Sequence, residues 1–194
     1  MQKDLLREKY LQLRKKIPQK VINDLSKRIC ENFLLFASKN LPNWQQKKIA
    51  LYYSTKYEVS TIFLQNYFQK NNLIYCLPKI NSDKLDFYDV NLETKLIANS
   101  NFSQILEPEN AKKTLPDIVI VPLVSIDRNL NRLGMGKGYY DKTLADIDVI
   151  SIGFAFDLQV CKQDFLPQKH DYQLDYLVTE TKILQKDKIN FNII

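Results

Sequence analysis

The period of the apolar positions changes several times along the chain, and each change marks an element. Leu6, Tyr10, Leu13 and Ile17 recur at helical intervals and predict a helix over residues 2–16. Pro18 breaks that pattern, and Ile22, Leu25, Ile29, Phe33 and Phe36 predict a second helix over residues 19–38. The period then shortens. Lys48 to Tyr53 reads as a buried strand, and a polar turn from Ser54 to Glu58 leads into a helix over residues 59–71 with Val59, Ile62, Phe63 and Tyr67 inward. Leu73 to Leu77 is a second strand, which Pro78 is expected to stop. A strand, helix and strand in this order predict a parallel pair with a right-handed crossover.

Residues 79–97 are polar with short apolar alternations, among them Leu85-Asp86-Phe87-Tyr88, and predict a hairpin excursion; Glu107-Pro108-Glu109 marks the next loop. Asp117 to Val121 is the cleanest buried parallel strand, closed by Pro122. The chain then passes through Ser125-Ile126-Asp127 into a glycine-rich run, and a helix is expected from Tyr139 to Asp146. Val149 to Phe156 and Leu174 to Thr179 are further strands, and the lysine-rich tail closes on an apolar stretch, Ile189 to Ile194, that reads as an edge strand. No linker or repeat divides the chain. The expectation is a single α/β domain over residues 1–194, with N-terminal helices over about 2–38 and an α/β core over about 48–180. In such sheets ligands collect beyond the carboxyl ends of the strands. The segments 54–58, 123–138 and 157–171 lie there.

Composition sharpens one of these segments. Glycine is scarce, with 4 in 194 residues, and three of them are Gly134, Gly136 and Gly138. Alternating glycines permit positive φ and bring backbone N–H groups close to a ligand, and such a loop opening a helix suits an anion. Arg132 and Lys137 add cations, and Asp141 is placed to hold a metal. The run is neither a Walker A loop nor the dinucleotide fingerprint. Tight turns account for many bare glycine alternations, whereas the whole decapeptide Arg132 to Asp141 after a parallel strand is a narrower signal.

Charge and reactive residues exclude several classes. The net charge of +6 allows a nucleic-acid binder or an enzyme for polyanionic small molecules, but the basic residues are dispersed. Lys3, Arg7 and Arg14 share one face of the first helix, which taken alone reads as a solvated stripe. Cys30, Cys76 and Cys161 form no spaced pair and read as buried free thiols. The N-terminus lacks a signal-peptide core and the longest apolar run, about residues 118–124, is too short for a bilayer, so a soluble cytoplasmic protein is expected. His170 is the only histidine, which excludes two-histidine metal sites, and no nucleophile elbow supports a triad. A loop histidine bonded to backbone is its plainest role. Glu58 reads either as a grip on ligand donors or as a charge at a helix start. Asp175, inside a strand, needs a cation or hydrogen bonds.

The ordered set of motifs resembles the 5-formyltetrahydrofolate cyclo-ligase (5,10-methenyltetrahydrofolate synthetase) family. Arg132-Leu-Gly-Met-Gly-Lys-Gly-Tyr-Tyr-Asp141 is similar to its signature, and Lys3-x-x-x-Arg7 to its N-terminal nucleotide-contacting motif. Tyr53 through Glu58 resembles the folate-contacting strand end; Glu107-Pro108, Val121-Pro122 and Asp127 resemble central markers. Leu166-Pro167-x-x-His170-Asp171 and Leu174-Asp175-x-x-Val178-Thr179-Glu180 resemble the C-terminal block. Three positions depart: Leu123 stands for a small residue, Ile126 for a phenylalanine and Leu130 for a turn glycine.

The resemblance implies a Rossmann-like three-layer sandwich with a mostly parallel sheet and helices on both faces. It implies ATP- and Mg²⁺-dependent cyclisation of 5-formyltetrahydrofolate, polyglutamylated or not, to 5,10-methenyltetrahydrofolate through a phosphorylated formyl intermediate. Lys3, Arg7, Arg132, Lys137 and the loop Gly134, Met135, Gly136, Gly138, Tyr139 and Tyr140 would hold ATP, with Lys137, Arg132 and Tyr139 closest to catalysis. Tyr53 and Glu58 would bind the pterin beside residues 135–139, and Asp141 with Asp175 would anchor Mg²⁺. A monomer is expected, without nucleic-acid or membrane partners. Two other readings stay open: a sugar-phosphate or CoA-ester enzyme of a related α/β fold, and a basic nucleic-acid-binding module.

Overall fold

A computed structural model describes residues 2–91, 93–100, 102, 105–186 and 188–191. Two helices, α1 (Gln2–Lys15) and α2 (Gln19–Asn40), precede strand β1 (Ile49–Ala50) and helix α3 (Ile62–Lys70). A hairpin follows, β2 (Tyr75–Asn81) and β3 (Lys84–Val90), then the short strands β4 (Leu96–Ala98), β5 (Leu106–Pro108) and β6 (Lys113–Thr114). The second half contains β7 (Ile118–Pro122), β8 (Ser125–Ile126), β9 (Arg132–Leu133), α4 (Tyr139–Leu144), β10 (Ile150–Phe154), β11 (Tyr176–Val178), β12 (Ile183–Gln185) and β13 (Lys188–Phe191). One sheet runs β13-β12-β11-β10-β7-β1-β2-β3-β6. Its centre, β11-β10-β7-β1-β2, is parallel, and both flanks are antiparallel.

Strict alternation in the central strands makes the three layers. Ile49, Leu77, Ile118, Ile120, Ile152, Phe154 and Val178 face α2 and α3, against Ile22, Ile29, Phe33, Leu64 and Phe68. Ala50, Cys76, Val119, Val121 and Leu177 face the other side, against Leu144 of α4 and the buried loop residues Leu123 and Leu130. Because both faces are covered, these strands are mostly apolar where they pair at the centre of the sheet. Trp44 packs inside the first layer, and the three cysteines are buried and free. In α1, Tyr10 packs with Val124, Leu133, Cys161 and Phe165, so this helix lies over the loops that follow the strands.

The observed elements depart from the sequence expectation in informative places. Strand β2 continues through Pro78 to Asn81. Pro78 pairs with Phe87 of β3 on one side, while β1 reaches only Tyr75 and Cys76 on the other. The carbonyl of Cys76 faces the β1 side, so the N–H that Pro78 lacks would point into the space β1 has vacated. The next N–H on that side, at Ile80, is taken by the Glu107 carboxylate at 2.8 Å. Helix α3 starts at Ile62 rather than Val59, and α4 stops at Leu144. The tail forms the expected edge strand β13, and Asn192 to Ile194 lie outside the described residues.

Candidate functional site

The parallel order reverses between β1 and β7, and a crevice opens beyond the carboxyl ends of strands at such a reversal. There the protein has a cavity of about 450 Å³. Its walls bring together Tyr53 and Glu58 after β1, Pro122 and Leu123 from the end of β7, the whole run Arg132–Asp141, and Lys3, Arg7 and Arg14 from α1. His170 and Asp171 close one side, and Pro78, Ile80, Leu85, Phe102, Ile105 and Glu107 form an apolar flank with one carboxylate. A wider depression, about 830 Å³, lies between α2 and Trp44 on the opposite layer. It is lined by residues such as Leu34, Leu35 and Tyr67 and carries no cation, so the chemistry belongs to the crevice.

Two of the three loop glycines need their lack of a side chain for conformation: Gly136 has φ +91° and Gly138 φ +71°. Gly136 also lies under the Arg7 guanidinium, which an added Cβ would meet at 3.5 Å. Backbone N–H groups of residues 134–138 donate to no backbone acceptor among the described residues, so they are available to an anion. Arg7 Nε donates to the Gly134 carbonyl at 2.8 Å and its Nη1 pairs with Asp4 at 2.5 Å. Lys3 Nζ pairs with Asp171 at 2.5 Å. For Asp171, burial opposes ionisation, but the Gln168 N–H and Lys3 outweigh it and hold the carboxyl below its ordinary value. Lys137 is exposed and has no partner among the described residues, which leaves it free to meet a ligand. The basic face of α1 is therefore not solvated; it forms one wall of the crevice.

Arg132 is placed differently from Lys137. Its side chain is 3 % exposed, with Nη2 3.0 Å from Asp141 Oδ1 and Nη1 donating to the Tyr172 carbonyl at 2.9 Å. Asp141 Oδ1 also accepts the Tyr172 N–H at 3.0 Å. This brace ties the end of the glycine loop to the chain before β11. Asp175 corrects the expectation for the metal pair, because it does not line the cavity. Its Oδ2 accepts the Ser151 N–H at 2.8 Å and hydroxyl at 2.7 Å, at the start of β10. Those hydrogen bonds supply the partners that a part-buried carboxylate needs. The site carries no group of three metal-ligating side chains among the described residues.

Glu58 belongs to the turn, four residues before α3 begins, so it does not serve the helix dipole. Its Oε2 accepts the Thr55 N–H at 2.8 Å and hydroxyl at 2.9 Å. Burial, followed by the Glu58 charge, raises the phenols of Tyr52 and Tyr140, which stay neutral, and Tyr52 donates to the Val59 carbonyl at 2.7 Å. Tyr139 and Tyr140 both pack against the second core layer with part of each ring at the cavity. The His170 side chain is 73 % exposed, 4.0 Å from Asp171, and makes no backbone bond among the described residues, contrary to its plainest reading.

The segment that departs from the family pattern is held from within. Asp127 is fully buried and accepts the N–H groups of Asn131 and Phe165, each at 2.8 Å, and the Asn131 side chain at 3.0 Å. This fixes the 127–131 turn, in which Leu130 has φ +61° with its side chain fully buried. Leu123 packs where an added Cβ on Gly153 would meet it at 3.0 Å, and Leu174 at 2.8 Å. The fourth glycine thus makes room for the larger residue. Sequence reasoning missed Arg14 and Glu107 as cavity residues. The seven-residue spacing from Arg7 to Arg14, two helical turns, was the available signal for the first.

Comparison with known proteins agrees with this geometry. The family model described as "5-formyltetrahydrofolate cyclo-ligase family" matches residues 1–180. A Mycoplasma pneumoniae protein named 5-formyltetrahydrofolate cyclo-ligase is 30 % identical over 183 residues, 93 % of this chain and 99 % of that one. A Schizosaccharomyces pombe protein named probable 5-formyltetrahydrofolate cyclo-ligase is 29 % identical over 191 residues, covering 88 % of this chain and 91 % of its own. The solved structure of Aquifex aeolicus 5,10-methenyltetrahydrofolate synthetase superposes with a TM-score of 0.83 at 30 % identity, covering 98 % of this chain and 96 % of its own. With the glycine loop, the α1 cations and Glu58 assembled at one sheet reversal, the chain belongs to the 5-formyltetrahydrofolate cyclo-ligase family.

Proposed function

We propose that this enzyme cyclises 5-formyltetrahydrofolate to 5,10-methenyltetrahydrofolate with hydrolysis of ATP to ADP and phosphate. The observation that carries the reading is the division of one cavity into two chemistries. The unbonded N–H groups of residues 134–138 share the cavity with Lys137, Arg7 and Lys3, which suits a triphosphate. Glu58 and an apolar flank line the same cavity, which suits a heterocycle with ring N–H donors.

The formyl oxygen is a poor leaving group until it attacks the γ-phosphorus and displaces ADP. The folate N10 then attacks the activated carbon, closes the ring, loses its proton and expels phosphate. Such transfers need placement and charge neutralisation rather than a protein nucleophile. Lys137 is assigned to the transferring phosphoryl group, and Arg132 to positioning the loop through Asp141. Tyr139 and Tyr53 border the folate. Asp141 Oδ2 has no protein partner among the described residues, which fits a single carboxylate on Mg²⁺ with phosphate oxygens and water completing its shell. That ion would neutralise phosphate charge.

The test is the absorbance of methenyl-folate formed from 5-formyltetrahydrofolate with and without MgATP. Product only with MgATP is expected. Lys137→Ala should cut kcat/KM by about 10²-fold or more, by analogy with loss of one preorganised donor, without lowering the thermal midpoint. Product without ATP, or full activity in that variant, counts against the reading.

A further inference from the structure

Arg14 is 5 % exposed and lines the cavity, yet among the described residues its side chain makes one hydrogen bond, from Nη1 to the Leu123 carbonyl at 3.1 Å. Its Nε is buried without a partner, and no ion pair involves it among the described residues. Burial pulls this guanidinium down from its ordinary value, with Glu58 the main opposing influence. A buried charge with an unused donor edge is unfavourable for the folded chain, and an apolar side chain of similar length would fill the same space at less cost. Lys3 and Arg7, the other cations of α1 at the site, already have protein partners.

Glu58 has the matching property. Its Oε2 is occupied by Thr55, while Oε1 accepts nothing among the described residues. Arg14 and Glu58 line the same cavity, and no ion pair joins them among the described residues. A ligand placed between them must offer an acceptor and a donor side by side. A phosphate is disfavoured there, because Glu58 would repel it and the loop N–H groups with Lys137 offer a better seat. An amide edge satisfies both groups.

We propose that Arg14 is a substrate-binding residue whose guanidinium donates to the 4-oxo oxygen of the pterin, beside the ring N–H groups accepted by Glu58. The two residues together select 4-oxo pterins over 4-amino pterins. This rests on the folate reading above. An analogue with an amino group at that position presents a donor to a donor, and a site built to hydrogen-bond one group rejects the other.

The experiment titrates the full chain calorimetrically with 5-formyltetrahydrofolate and with its 4-amino analogue. The wild type should bind the 4-oxo form roughly 10- to 100-fold more tightly, the size of one charge-assisted hydrogen bond. Arg14→Met, which removes every donor, should bring the two affinities to within about threefold. Arg14→Lys, whose ammonium still donates, should keep part of the preference. KM for ATP should stay within about threefold, and the thermal midpoint of Arg14→Met should hold or rise. An affinity ratio that does not move in Arg14→Met overturns the proposal in favour of a structural role. If the wild type turns over folate with MgATP while showing no preference between the two pterins, the Arg14 assignment fails alone. If it neither binds nor converts folate, both readings fall.

Discussion

Leu130 shows how one residue can be right for packing and wrong for its backbone. A leucine at φ +61° carries local strain of about 1 kcal/mol or more, and its full burial returns roughly 2 kcal/mol. The two effects separate on substitution. Leu130→Ala keeps the strained φ and loses the packing, so it should destabilise by about 2–5 kcal/mol. Leu130→Gly loses the same packing but relieves the strain, and should be the milder change by about 1 kcal/mol. Denaturant unfolding decides it; a glycine variant less stable than the alanine one would contradict the account. This ordering reverses the usual rule for buried positions, in which glycine is the worse choice. The departure from a turn glycine was visible in the sequence, but its compensation was not. That compensation lies in contacts of Leu130 with the second core layer, which no local pattern encodes.

At the scale of elements, α1 packs through the small cluster around Tyr10 rather than through either of the two larger ones. Side-chain bonds to loops attach it at Asp171, Gly134 and Leu123. The Asp171 attachment has a pH sign. Its carboxyl is held below the ordinary value of about 3.9, so the folded chain takes up this proton less readily than the unfolded one. The stabilisation is complete above about pH 4 and fades as pH falls through the folded value. Amide exchange should therefore show α1 losing protection on acidification before the central strands do, and Asp171→Asn should loosen α1 at neutral pH. Equal protection of α1 and the sheet throughout the titration would rule this out. The helix itself was legible from Leu6, Tyr10 and Leu13, and the central strands from their unbroken apolar runs. Pro78 misled because a proline ends a strand only where its N–H is needed, and that depends on how far a neighbouring strand extends. Glu58 stayed open between two roles in the sequence for want of a rule telling a turn carboxylate from a helix-start one.

For the whole molecule, the strand order and the site are one fact, since the crevice lies where the order reverses. The glycine loop and its charges were readable in sequence because their spacing is local. Arg14, Glu107 and the flank from Pro78 to Ile105 were not, because tertiary packing alone brings them to the loop. The Lys3–Asp171 pair spans 168 residues of sequence, so α1 waits for most of the fold to be made before it meets its anchor. Long-range contacts of this kind close slowly, since much of the chain must be ordered first. Ligand-binding competence should consequently be one of the last properties a refolding chain acquires. In stopped-flow refolding, the far-ultraviolet signal should recover ahead of folate binding, and Lys3→Ala should widen that lag. Until that closure, the chain is a formed sheet without a receptor, open to inspection by chaperones and proteases while it has nothing yet to bind.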